Sequence, residues 1–171
     1  MKRLALPGAL LVALFPAACG DAGDGPLAPD VPAFSSSGAT LVECPVAETR
    51  STTGVVGLLG GTISLDGHSI SLPAGAVLLP TQIELTVPAS NYMEIAIHAN
   101  GLESFEFNAP VTVTLSYDRC TRSDIDQRTL TAWHIDEATK ALLENMGGTD
   151  DKQARTVTFT SGHLSGFAIA N

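Results

Sequence analysis

The chain has 171 residues, with 18 acidic against 9 basic side chains and a formal net charge of −9. That balance argues against nucleic acid as a partner, because phosphate backbones are gripped by a basic face. An aromatic share of only 5% leaves a core to be built from Val, Ile, Leu and Ala.

Lys2 and Arg3 open the chain, and an apolar run from Leu4 to Phe15 follows, loosened by Pro7 and Gly8. Small residues Ala17 and Ala18 then lead into Cys19. A basic start, a short apolar stretch and a small-residue exit predict a signal peptide over residues 1–18. The run is too short to span a bilayer, which takes about 20 apolar residues. Ala17-Ala18-Cys19-Gly20 resembles the lipobox of bacterial lipoproteins, with Pro16 where that family usually has Leu. The resemblance implies a lipid on Cys19 and attachment to a membrane through it. Ordinary cleavage near Ala18 or Ala22 is the other reading of the same residues. Either reading puts the chain outside the cytoplasm, anchored in the cell envelope or secreted. Losing Lys2 and Arg3 with the leader leaves 7 basic and 18 acidic side chains, a balance of −11 that an anionic membrane surface would repel.

Residues 19–40 are rich in Gly, Pro, Ala, Asp and Ser. They cannot bury enough apolar surface to offset the entropy of ordering, so a disordered tether is expected. Residues 41–171 then make about one domain. Two cysteines remain there, Cys44 and Cys120. In an exported chain such a pair predicts a disulfide, with two free buried thiols as the alternative.

The domain shows short runs of period-two alternation bounded by Gly, Pro, Asn and Asp. Thr62 to Leu65 and Ser69 to Leu72 flank Asp66-Gly67, a strong hairpin signal. Gln82 to Val87 and Met93 to His98 alternate cleanly, and Ser104 to Phe107 is a short strand. Val111 to Tyr117 is the longest, with Val111, Val113, Leu115 and Tyr117 on one face. Leu130 to Ile135 is next, and a turn over Asp136 to Thr139 returns it as Ala141 to Met146; a short helix is the other reading of that segment. Thr149 to Gln153 reads as an acidic turn, and Thr156 to Thr160 and Leu164 to Ala170 as the last strands. Roughly nine or ten short strands with regular turn signals predict an all-β, antiparallel β-sandwich.

Three stretches resemble the ZU-five family. Gly60 to Val77 (GGTISLDGHSISLPAGAV) is similar to its opening strand pair and Leu-Pro-x-Gly-Ala turn. Phe107 to Asp118 (FNAPVTVTLSYD) is similar to its middle strand, and Gly162 to Ala170 (GHLSGFAIA) to its C-terminal end, which the GAIN domains share. The resemblance covers Val55 to the C-terminus and implies a β-sandwich. Some members of these families cleave their own backbone within the last motif. Carried over, the scissile bond is Leu164–Ser165, with the Ser165 hydroxyl as nucleophile and His163 as general base. Such chemistry needs a strained peptide in a tight turn, for which Gly162 and Gly166 would supply backbone freedom. Cleaving GAIN domains also carry disulfides and a tryptophan around the site. Here Trp133 lies on a preceding strand, and no cysteine lies near His163. The alternative is a turn that only stabilises the fold.

Other chemistry finds little footing. His68, His98, His134 and His163 share no metal-ligand spacing, so no metal site is expected, and no cofactor motif occurs. His98 and His134 are expected to face solvent or cap strands. Asp118 with Asp124 and Asp126, and Asp150 with Asp151, are acidic groups without the EF-hand pattern. Gly54, Gly57, Gly60 and Gly61 lack the helix and Gly-Lys step that a phosphate loop requires. Glu84, Glu94, Glu103 and Glu106 alternate as solvent-facing residues should. These features predict a non-catalytic structural or binding module with an unidentified protein or envelope partner, and a self-cleaving domain as the alternative.

Overall fold

The computed structural model describes residues 38–171 except 103, 122 and 123. The expected leader, Cys19 and most of the expected tether lie outside the described residues. Among the described residues thirteen strands follow in order: β1 (Glu43–Val46), β2 (Arg50–Val56), β3 (Gly61–Leu65), β4 (His68–Leu72), β5 (Thr81–Val87), β6 (Ser90–Tyr92), β7 (Glu94–Ala99), β8 (Phe105–Ser116), β9 (Thr131–Ile135), β10 (Leu142–Gly147), β11 (Thr149–Asp151), β12 (Thr156–Leu164) and β13 (Gly166–Ala170). They form a six-stranded sheet, β10-β9-β13-β7-β5-β2, a five-stranded sheet, β11-β12-β8-β4-β3, and a small ribbon, β1-β6. Every pairing is antiparallel. The fold is an all-β sandwich.

Alternation builds the core. Ile83, Leu85 and Val87 on β5, Ile70 and Leu72 on β4, and Val111, Val113 and Leu115 on β8 are fully or nearly fully buried. Their neighbours Thr112 and Gln82 are exposed. Each buried side chain of this size contributes roughly 1.5–3 kcal/mol. The β3–β4 hairpin turns through Asp66 and Gly67, both with positive φ (51° and 84°), as a two-residue turn of the primed type requires.

The strand count exceeds the expected nine or ten for physical reasons. β2 is an edge strand whose side chains are mostly exposed, so RSTTGVV carries no apolar alternation to read. β11, on the segment expected to be an acidic turn, is likewise an edge strand. The runs expected as separate strands at 104–107 and 111–117 join into β8, through Pro110. Proline cannot donate to a ladder. It is accommodated because the β12 pairing shifts register here, from Ser161 opposite Val111 to His163 opposite Glu106.

β13 is buried along its whole length. Phe167 and Ile169 enter the main core, whereas Ala168 and Ala170 join Trp133 and Ile135 in a second cluster. Ala39 and Leu41 pack on that second cluster. Thr40 and Asn171 exchange backbone hydrogen bonds of 3.0 and 3.2 Å.

Cys44 and Cys120 form a disulfide with Cα atoms 5.0 Å apart. It ties β1 to the segment that follows β8. Both it and the N-terminal segment sit at one end of the sandwich. At the other end lie the C-terminal ends of β2 and β7 and the start of β5, aligned by the pairs Val56–Thr81 and Ile83–Ala99.

Candidate functional site

Ser165 is the single residue between β12 and β13, where the chain crosses from the five-stranded to the six-stranded sheet. Its hydroxyl shares a hydrogen bond of 2.8 Å with Nε2 of His134. The expected partner, His163, does not take this role. Its backbone N–H donates to Ser161 Oγ (3.2 Å), and the Ser161 hydroxyl donates back to the His163 carbonyl (2.7 Å). The reason is strand geometry. Residues two apart on extended chain project side by side without meeting, whereas neighbouring strands bring side chains into contact. β9 pairs with β13 so that His134 lies opposite Phe167.

His134, expected to face solvent or cap a strand, is half-buried. Its ring stands edge-on to that of His163, centroids 5.2 Å apart, and both approach Phe167. Burial, and next the nearby His163, hold the His134 pKa below the usual histidine value; Glu144 and Glu137 oppose this. A neutral His134 protonated at Nδ1 accepts a hydrogen bond from the Ser165 hydroxyl at Nε2, and the other tautomer donates from Nε2–H to Ser165 Oγ.

A cleft of about 250 Å³ borders the pair, lined by His134, Ile135, Asp136, Glu137, Ala138 and Ser165. Asp136 shapes its rim by accepting hydrogen bonds from the Thr139 and Ala138 backbone and the Thr139 hydroxyl, which hold its pKa down. His98 does not stand free on its strand but pairs with Glu137 at 3.2 Å.

The backbone at Leu164–Ser165 is not the strained turn the sequence suggested. No residue from Gly162 to Gly166 has positive φ, and the Ser165 carbonyl accepts an ordinary bond from the Ile97 N–H at 3.1 Å. Gly166 has a different reason to be glycine: a Cβ there would lie 2.5 Å from Glu137 Cγ. A Cβ at Gly162 would meet nothing within 4 Å. Leu164 itself is fully buried.

The acidic groups have protein partners. Arg155 reaches Asp126 at 2.8 Å and Asp118 at 3.8 Å, Arg128 pairs with Asp124, and Lys152 with Asp150 at 2.7 Å. Asp150 also accepts the Tyr117 hydroxyl at 2.8 Å. Glu94 departs from expectation, being 2% exposed. It does alternate away from the core, on the face shared with Ala168. The turn between β9 and β10 covers it, and Lys140 Nζ bonds its Oε2 at 2.7 Å.

A different feature was not legible as a motif. Val55, Leu58, Leu59, Leu78 and Leu79 are between 57% and 91% exposed, and Leu102 is 56% exposed. They sit on or beside three connections, β2–β3, β4–β5 and β7–β8, at the end of the sandwich away from the disulfide. Their adjacency depends on which strand ends pair, so only the fold brings them to one end. No helix among the described residues is long and apolar enough to cross a membrane.

Fold and site together define a disulfide-clasped antiparallel β-sandwich with a Ser–His pair at its sheet crossover. No protein-family model matches the chain, and no curated protein matches it.

Proposed function

We propose that this chain is an exported, lipid-anchored envelope protein whose sandwich is a non-catalytic binding module of ZU-five type. The observation that carries the binding role is the group of exposed leucines at one end. Apolar side chains presented together on a water-soluble surface are a recurrent mark of a partner site. They lie at the end of the sandwich away from Thr40 and the disulfide. The disulfide supports an oxidising compartment, and the leader-like N-terminus supports export.

Two measurements test this. In cell fractionation the wild type is expected in the membrane fraction and Cys19→Ala in the soluble exported fraction. Wild type in the cytosol would contradict export, and a membrane-bound Cys19→Ala would contradict the lipid anchor. A photo-crosslinking residue at Leu59 or Leu79 is expected to capture an envelope protein, whereas one at Thr112, exposed on β8, is not. Equal capture from all three positions would remove the binding end.

The Ser165–His134 hydrogen bond favours a second reading, self-cleavage at Leu164–Ser165. In that reading His134, not His163, takes the hydroxyl proton as Ser165 Oγ attacks the Leu164 carbonyl. The Leu164–Ser165 C–N bond then breaks, the proton passes to the released Ser165 amine, and water hydrolyses the ester to free the Leu164 carboxyl group and the Ser165 hydroxyl. The relaxed backbone and the buried Leu164 weigh against it. If a fragment beginning at Ser165 is found under denaturing conditions, Ser165→Ala and His134→Ala are expected to abolish it and His163→Ala is not.

A further inference from the structure

His134 on β9, Glu144 on β10 and His163 on β12 each place one ligand atom within 4.8 Å of the other two. Three separate strands meet here. Glu144 lies directly opposite His134 in the β9–β10 ladder. His163 comes from the other sheet, whose β12 pairs with β8. Residues 134, 144 and 163 have no common spacing in the chain, and the cluster exists only because the sandwich edge closes.

From this convergence we propose that the His134–Glu144–His163 cluster is a divalent transition-metal site, for which Zn²⁺ is the best match. The donor set selects the metal. Two imidazoles and one carboxylate suit zinc and its borderline neighbours, whereas calcium and magnesium take oxygen ligands almost alone. Zinc–nitrogen bonds of about 2.0–2.1 Å put tetrahedral ligands roughly 3.3 Å apart, so the cluster must contract by up to about 1.5 Å. Glu144 is exposed on an edge strand and free to swing inward. The imidazoles are half-buried and already braced. The His134 ring is held through Nε2 by Ser165 and by its edge-on contact with His163. A ligating histidine usually donates its other ring N–H, so a metal on Nδ1 of His134 would take the tautomer in which Nε2–H donates to Ser165 Oγ.

Three protein ligands leave a fourth position for water. The ion would join the six-stranded sheet, through His134 and Glu144, to the five-stranded sheet, through His163. The disulfide clasps the sandwich at one end, and the metal would clasp the sheet crossover. An occupied site would also take His134 out of proton transfer from Ser165.

Titration of the purified, disulfide-intact mature protein with zinc chloride, in a buffer that does not chelate, tests the proposal. One zinc per chain is expected, with a melting temperature that rises with metal concentration, as ligand binding to the folded state requires. Glu144→Gln and His163→Asn should each weaken binding by more than about tenfold. His98→Gln, which alters the other His–carboxylate pair, should leave it unchanged. Cobalt at the same site should give the visible absorption of a four-coordinate ion, lost in His163→Asn. Circular dichroism separates lost ligands from lost fold, and exposed Glu144 gives a variant expected to fold normally. Absence of saturable binding overturns the proposal. So does wild-type affinity in both Glu144→Gln and His163→Asn, or binding lost in His98→Gln but kept in Glu144→Gln.

Discussion

At His68, burial decides the protonation state. The side chain is fully enclosed at the start of β4, where Nδ1 accepts the Ser116 N–H at 3.1 Å and Nε2 faces Arg119 Nη1 at 3.0 Å. Burial first, then the charges of Arg119 and Arg50, push its pKa down to about 3. The folded value lies below the unfolded one, so the folded state prefers the neutral ring. Stability from this source is complete above the unfolded value near 6.5 and is lost as pH falls from there toward 3, by roughly 1.4 kcal/mol per pH unit at most. Urea unfolding at pH 7, 5 and 4 should show a steeper acid loss for wild type than for His68→Gln, whose amide accepts the same bond without charging. Parallel profiles would show that His68 is not the acid-sensitive group. In the sequence His68 falls between the Asp66-Gly67 turn and the strand expected from Ser69, and its enclosure left no local trace, because Arg119 is 51 residues away and arrives only when β8 pairs with β4. The same limit applies to Ser165. The adjacent His163 is its obvious partner in the linear motif, but the hydroxyl meets His134, 31 residues back, through the β9–β13 ladder.

The elements that could be read in advance are those with one face in the core. β3, β4, β5 and β7 fall within a residue or so of their expected runs, because alternating burial and hairpin glycines leave a local trace. β2 and β11 do not, since edge strands with exposed side chains leave none. Glu94 shows a subtler failure. Its alternation was read correctly, but outward from the core meant under the β9–β10 turn rather than into water. The disulfide operates at this scale too. It closes a separation of 76 residues and holds the β1-β6 ribbon against the end of β8. In the chain-entropy picture its loss costs about 4 kcal/mol. A Cys44→Ala/Cys120→Ala variant should therefore unfold at markedly lower urea concentration, with an unchanged β-type circular dichroism spectrum in the absence of urea. A midpoint equal to that of wild type would mean that the ribbon is held by packing alone.

For the molecule as a whole, the two ends of the sandwich differ in kind. One carries the N-terminal segment and the disulfide, and the other carries exposed leucines. Changing Leu59 and Leu79 together to Ser should leave the melting temperature within a few degrees, since residues 91% and 75% exposed bury little on folding, yet should abolish crosslinking from a probe at Leu78. A large fall in melting temperature would mean that these leucines belong to the core instead. The fold class could be derived from the chain alone, because alternation and turns are local. The leucine end and the His–Glu–His cluster could not, because both depend on which strands become neighbours.

The most direct test of the account is the intact mass of the protein recovered from the envelope, without reduction. It predicts a chain that begins at an acylated Cys19 and runs unbroken through the Leu164–Ser165 bond, lighter by two hydrogens for the Cys44–Cys120 bond. A chain still carrying Met1 and the leader, or a separate fragment starting at Ser165, would contradict it.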